Sequence, residues 1–209
     1  MSDRHTLIIT GGPPPVETAG LPPADIVVAA DRGADNAALL GLLPNLVVGD
    51  LDSVSAETLA SMEEAGVRIE RHPIDKDQTD LELALAAATD LGATSVTIVV
   101  TTAGRPDHAL ANLLTAAADR WAGLDIDLLV DSSRAWVVRR RLDLTVPVGS
   151  VVSLMAVGGP TTGISTEGLR WPLANGSLEP GMGQGLSNEV TGSPTVVEVA
   201  TGTLLVVCP

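Results

Sequence analysis

The chain has 209 residues, enough for one large domain or two small ones, and hydrophobic residues make up 45% of it. Its formal net charge of −14 argues against broad nucleic-acid or anionic-membrane binding, which needs a basic footprint. No apolar run reaches the ~20 residues that span a bilayer, and the single cysteine, Cys208, has no internal partner for a disulfide, which fits a reducing compartment.

Met1–His5 run straight into a strand-like Thr6–Thr10 without the apolar core and cleavage site of a secretory leader, so a cytoplasmic protein is expected. Up to about Asp131, short apolar runs alternate with helix-like segments. The runs are Leu7–Thr10, Ile26–Ala30, Leu46–Gly49, Val67–Ile69, Val96–Val100 and Ile126–Val130. They are rich in Val and Ile and nearly continuous, as strands buried on both faces of a parallel sheet are. Between them Asp35–Leu43, Ser55–Ala65, Thr79–Leu91 and Asp107–Trp121 predict helices, and Thr79-Asp80-Leu81-Glu82 has the spacing of a capping box. The Pro13–Pro15 stretch reads as a loop. This alternation predicts a Rossmann-like α/β domain over residues 1–131, mostly parallel and layered.

After Asp131 no long helical pattern remains. Ala135–Val138, Val151–Ala156, Thr195–Ala200 and Leu204–Val207 are separated by Gly- and Pro-rich turns, which predicts a small antiparallel β-sandwich or barrel over residues 132–209. The Arg139–Arg141 run reads as a solvated turn between strands.

Ligands of open α/β sheets bind outside the carboxyl ends of the strands. Acidic residues cluster there, in Asp31–Asp35, in Asp50–Ser53 and in Asp75–Asp80. Asp50 and Asp52 are two apart, so extended backbone puts both carboxylates on one side. Two hard anionic ligands suit Mg²⁺, which fills its other positions with water and phosphate. One such cluster alone is equally a strand end or a helix cap. Three in one domain would repel one another without a cation. Farther on, Arg105 precedes Pro106-Asp107-His108 at a predicted helix start, where it either forks onto phosphate or faces solvent. Lys76, the only lysine, either contacts phosphate or relieves repulsion among its acidic neighbours. Tyr and Phe are absent, so an aromatic platform would come from Trp121, Trp136 or Trp171. Of these, Trp171 lies in a turn-rich stretch, Trp121 ends a helical pattern and Trp136 sits in a strand-like run.

Six segments in order resemble thiamine pyrophosphokinases: ADRGADN from Ala30, VGDLDSV from Val48, DKDQTDLELA from Asp75, GRPDHALAN from Gly104, GLRWPL from Gly168 and LSNEV from Leu186. The resemblance implies an α/β nucleotide- and metal-binding catalytic domain followed by a β-sandwich that binds thiamine and dimerises. It implies transfer of a diphosphate from ATP to the hydroxyl of thiamine, with Mg²⁺, in a homodimer, with neither nucleic acid nor membrane as partner. Carried over, Asp31, Asp50, Asp52 and Asp80 would serve the metal and polyphosphate, with Asp77 behind them. Arg105 and Asp107 would line the same cleft. Trp171 would stack on the thiamine pyrimidine, with Ser187 and Asn188 hydrogen-bonding near it. In this reading Asp50, Asp52, Asp80, Arg105 and Asp107 carry the chemistry, and Lys76, Asp77, Arg105, Trp171, Ser187 and Asn188 bind the substrates. The rival readings are diphosphate transfer to another alcohol, such as a pterin, and a non-catalytic sensor of thiamine or nucleotide. Arg32, Asp35 and Ala103 stand where the family often has Gly, Asn and Gly.

Overall fold

The computed structural model describes residues 3–14 and 20–209, so Pro15 of the proline stretch lies outside the described residues. The chain divides into two compact units, one of residues 1–115 and 123–132, the other of residues 116–122 and 133–209.

In the first unit the strands are β1 (His5–Ile9), β2 (Ile26–Ala30), β3 (Leu46–Gly49), β4 (Arg68–Arg71), β5 (Ser95–Val100) and β6 (Asp125–Val130). All pair in parallel, in the order β4-β3-β2-β1-β5-β6. The apolar runs of the sequence fall on these strands because both faces are covered. Every residue of β3 is buried, as is all of β1 beyond His5 and all of β5 beyond Ser95. The helices are α1 (Gly33–Leu39), α2 (Ala56–Glu64), α3 (Asp80–Asp90) and α4 (Pro106–Ala116). Ser55 caps α2 through its side chain. Thr79 caps α3 in a full capping box with Glu82, and α3 buries Leu81, Leu83, Ala84, Leu85 and Ala88.

Two predicted helices are shorter than their apolar patterns. The segment Asp35–Leu43 stops at Leu39, and Leu39 and Leu43 are left exposed. The segment Asp107–Trp121 ends at Ala116, and a single 3₁₀ turn covers Asp119–Trp121. Ala118 is extended, and the Arg139 guanidinium donates to the carbonyls of Ala117 and Ala118, at 3.1 and 2.9 Å. Both carbonyls lie just past the helix end, and that of Ala118 also accepts from the Trp121 amide at 3.1 Å.

The second unit holds β7 (Ser133–Val138), β8 (Arg141–Leu144), β9 (Val151–Glu167), β10 (Gly176–Leu178), β11 (Asn188–Glu189), β12 (Thr195–Glu198) and β13 (Thr201–Cys208). They pair antiparallel in the order β7-β13-β9-β12-β8, with β10 and β11 also on β9. The 17-residue β9 extends well past the predicted Val151–Ala156. Gly158 and Gly163, both at positive φ, lie within it, so a stretch that looks like turns in the sequence stays in the sheet while its partner changes. A core of Val138, Val152, Leu154, Ile164, Leu204 and Val206 is packed against Trp136. The Arg139–Arg141 run is more than a solvated turn. Arg139 binds the carbonyls named above, and Arg141 begins β8 and pairs with Asp143 and Glu198, each at 2.6 Å.

Candidate active site

Strand order reverses between β1 and β5, and such a reversal opens a crevice at the carboxyl ends of the strands. A cleft of about 810 Å³ lies there. Thr10, Gly11 and Gly12 after β1, Asp31 and Arg32 after β2, Thr101 after β5, and Asp80, Arg105 and His108 are among its lining residues.

The backbone turns sharply where the strands deliver their carboxylates. Asp31 and Leu51 sit at φ 47° and 63°, in the left-handed region. Gly49 precedes Asp50 at φ 149°, and a methyl group on it would lie 3.0 Å from Asp31 Cβ and 3.1 Å from Asp80 Oδ1. Only glycine lets the end of β3 pass between these two aspartates. The Asp31 amide donates to the Val48 carbonyl at 2.8 Å, which fixes the ends of β2 and β3 to each other.

Asp31, Asp50 and Asp52 each bring a carboxylate oxygen within 4.8 Å of the others. Ser53 Oγ donates to Asp31 Oδ2, while Asp31 Oδ1 is buried with no hydrogen-bond partner. A buried carboxylate oxygen without a donor is costly unless a cation meets it. The Lys76 ammonium donates to Asp50 Oδ2 at 2.7 Å and pairs with Asp80 Oδ1 at 3.1 Å. That hydrogen bond holds the Asp50 carboxyl below its usual range. Asp52 is pushed up, chiefly by the charge of Asp50. Asp80 is pushed up by burial, which outweighs Lys76. For Lys76, burial opposes the charge, yet the two carboxylates prevail and raise it.

The structure therefore brings Asp31, Asp50 and Asp52 together and joins Asp80 to Asp50 through Lys76. Asp77 is exposed, and none of the hydrogen bonds among these carboxylates involves it. Arg105 lies on the cleft with its fork on Asp107: Nη2 to Oδ2 is 2.6 Å and Nε to Oδ1 is 3.2 Å, with both side chains largely exposed. Three residues support the site: Asn36 and Asp131, to which the sequence assigned no role, and Asp35 of the first acidic cluster. Asn36, buried, donates through Nδ2 to the carbonyls of Thr10 and Gly12, at 3.0 and 3.4 Å, and so holds the glycine loop. Asp35 accepts from the Ser55 amide and hydroxyl, at 3.1 and 2.7 Å, and anchors the far end of the Asp50–Ser53 loop. Asp131 Oδ2 accepts from the Thr102 amide at 3.0 Å and from its hydroxyl, tying down the loop before Arg105. A polar residue directly after a strand or inside a short helix was the available signal.

In the second unit, Trp171 is 57% exposed. The Arg170 guanidinium lies 5.0 Å from its ring centroid and is itself held by Glu189 at 2.9 Å. Asn188 is buried and already committed: Oδ1 accepts from the Trp171 amide at 3.1 Å, and Nδ2 donates to the Trp171 carbonyl at 2.8 Å. It holds the tryptophan's backbone. Ser187 is exposed at φ 57°. Trp136 packs on the core, and Trp121 lies 4.7 Å from the Arg120 guanidinium.

Residues 21–126 match the family model of the thiamin pyrophosphokinase catalytic domain, and residues 138–206 match that of the thiamin pyrophosphokinase vitamin B1 binding domain. The thiamine pyrophosphokinase of Bacillus subtilis (strain 168) is 31% identical over 109 residues, 51% of this chain and 51% of that protein. Thiamine pyrophosphokinase 3 of rice (Oryza sativa subsp. japonica) is 28% identical over 174 residues, 78% of this chain and 64% of that protein. The matched segments thus span one half to just under two thirds of those relatives. In fold, the crystal structure of the Bacillus subtilis thiamine pyrophosphokinase superposes with a TM-score of 0.84 over 98% of each chain, at 23% identity. A thiamin pyrophosphokinase family protein from Enterococcus faecalis gives 0.77 over 99% of this chain and 98% of that one, at 25% identity. This chain belongs to the thiamin pyrophosphokinase family.

Proposed function

We propose that the protein transfers the diphosphate of ATP to the hydroxyl of thiamine, giving thiamine diphosphate and AMP. The observation that carries this reading is the carboxylate group of Asp31, Asp50 and Asp52 beside a cleft at the switch point of a parallel sheet, with one buried oxygen of Asp31 lacking a donor. This donor set is hard, anionic and closely spaced, and it fits Mg²⁺. Asp31, Asp50 and Asp52 would hold the ion, with Asp80 at its edge. When bound, Mg²⁺ supplies charge neutralisation for a polyphosphate in a strongly acidic protein.

In this reading the thiamine oxygen forms a bond to the β-phosphorus of ATP. The bond from that phosphorus to the α,β-bridging oxygen breaks, and AMP leaves with both bonding electrons. The hydroxyl proton passes to a carboxylate, with Asp80 or Asp107 as acceptor, or to water. Lys76 keeps Asp50 ionised and oriented. Arg105 exchanges Asp107 for phosphate oxygens when the nucleotide enters. Asp77 acts at a distance, as an exposed charge. The first unit serves as a Rossmann-like nucleotide domain. The second serves as a β-sandwich that presents Trp171 to the acceptor, aided by Ser187, and it dimerises. Asn188 contributes by fixing the Trp171 backbone.

Incubation with ATP, Mg²⁺ and thiamine should yield AMP and thiamine diphosphate in equal amounts. ADP with thiamine monophosphate would overturn the reaction type, and binding without turnover would make the protein a sensor. Trp171→Ala should raise KM for thiamine about tenfold or more and leave KM for ATP unchanged, because an indole face on a cationic aromatic contributes about 1–2 kcal/mol. An unchanged thiamine KM would remove Trp171 from the site.

A further inference from the structure

An anionic nucleotide entering an acidic cleft needs cations that are not already engaged. Lys76 is bound by Asp50 and Asp80, and Arg105 by Asp107. Arg32 lines the cleft directly beside Asp31, is exposed, and forms no hydrogen bond or ion pair through its side chain with any described residue. Of its carboxylate neighbours, Asp31 accepts from Ser53 and Asp35 from the amide and hydroxyl of Ser55; the Arg32 charge reaches Asp35 without an ion pair and, against burial, helps to hold that carboxyl low.

The backbone beneath Arg32 is held from several directions. The Asp31 amide bonds to Val48 O, and the Arg32 carbonyl accepts from the amides of Asp35 and Asn36, at 3.1 and 3.4 Å. Gly33 lies so close to β1 that a methyl group on it would sit 2.0 Å from the Ile9 carbonyl oxygen. The site of a Cβ on Gly11 lies 3.2 Å from Arg32 Cβ, so glycine leaves the wall beside the arginine stem clear. The backbone is fixed, and the guanidinium makes no hydrogen bond or ion pair with a described residue. A guanidinium so placed offers a planar fork of donors matched to phosphate oxygens, and part of the ordering cost of binding is already met by the fold.

We propose that Arg32 is a nucleotide-binding residue that forks onto the α-phosphate of the nucleotide, independently of Arg105. This assignment rests on the reading of the cleft as the ATP site. The test is calorimetric titration of the wild type and of Arg32→Gln with AMP and with adenosine at low ionic strength, alongside a turnover assay of each protein. The expected result is AMP binding weakened about tenfold, equivalent to about 1.4 kcal/mol, with adenosine binding unchanged. In turnover, KM for ATP rises while KM for thiamine does not. Arg32→Lys should recover only part of the AMP affinity, since an ammonium keeps the charge and loses the fork. Unchanged AMP affinity in Arg32→Gln overturns the proposal, and so does an equal loss for AMP and adenosine, which would mean contact with the base or a damaged fold. A wild type that neither binds AMP nor forms it from ATP and thiamine refutes the ATP-site reading itself. The two failures are thereby distinct.

Discussion

Asp52→Asn should reduce diphosphate transfer by on the order of a thousandfold, the scale seen when a preorganised charge at a phosphoryl-transfer centre is removed. The variant should melt at the wild-type temperature or slightly above it. Both expectations follow from one arrangement. Asp52 is exposed, and its carboxyl is pushed up because the Asp50 charge faces it, with Asp31 adding to the repulsion. The folded protein gains nothing from that charge in the absence of a cation, so a neutral amide relieves strain between like charges. The cost is functional: a hard anionic ligand is lost from a group of three. Product formation followed by the release of AMP, together with a thermal melt, checks the two halves separately. Near-normal thiamine diphosphate production would remove Asp52 from the metal group.

Lys76→Met should have the opposite signature, with a large loss of stability as well as of activity. The Lys76, Asp50 and Asp80 side chains are 13%, 13% and 33% exposed, so the lysine neutralises carboxylates that water reaches poorly. Removing one partner of a buried pair leaves charge behind, and with the residual exposure discounted the expected loss is about 2 kcal/mol at neutral pH. The sign with pH is definite. Asp50 lies below its usual range because Lys76 donates to it, so its contribution is present above the ordinary carboxylate pKa and fades as pH falls through its lower folded value. Without the lysine, Asp50 and Asp80 both bind protons more readily in the folded state. The gap between variant and wild type therefore narrows on acidification and widens towards alkaline pH. Denaturant midpoints at pH 5 and pH 8 test this; a gap that grows as pH falls would contradict the pairing. Added Mg²⁺ should restore part of the stability at pH 8 by meeting the carboxylates directly. A variant as stable as wild type, with only KM for ATP raised, would instead make Lys76 a phosphate ligand.

Much of the first unit was legible in the chain. Ile26–Ala30 and Leu46–Gly49 match their strands residue for residue, because a strand buried on both faces must be apolar throughout. Thr79 and Glu82 announced their helix because a capping box is a local contact. The second unit was harder to read. Its 17-residue β9 contains Gly158, Gly159, Pro160 and Gly163, residues that mark turns in a local reading, and it is kept extended by β13, β12 and β10. The last turn of the predicted Asp107–Trp121 helix failed for a similar reason, since a distant arginine takes its carbonyls.

At the site the same division holds. Which strand ends carry carboxylates is already legible in the chain, because alternation and apolar runs fix where strands stop, and the ordered motifs pointed to the family. How those side chains are shared emerges from the folded packing. It placed Asp31, Asp50 and Asp52 within reach of one ion, turned Lys76 onto Asp50 and Asp80, closed Arg105 on Asp107, and committed Asn188 to the backbone of Trp171. Some of these partners are neighbours in sequence, as Arg105 and Asp107 are, and others, such as Lys76 and Asp50, come together only in the fold. Charge and spacing name the candidates, whereas distance and burial select between them. Arg32 shows the difference most plainly: in the sequence it is a departure from the family motif that either contacts phosphate or faces solvent, and in the fold it lines the cleft with no hydrogen bond or ion pair to a described residue.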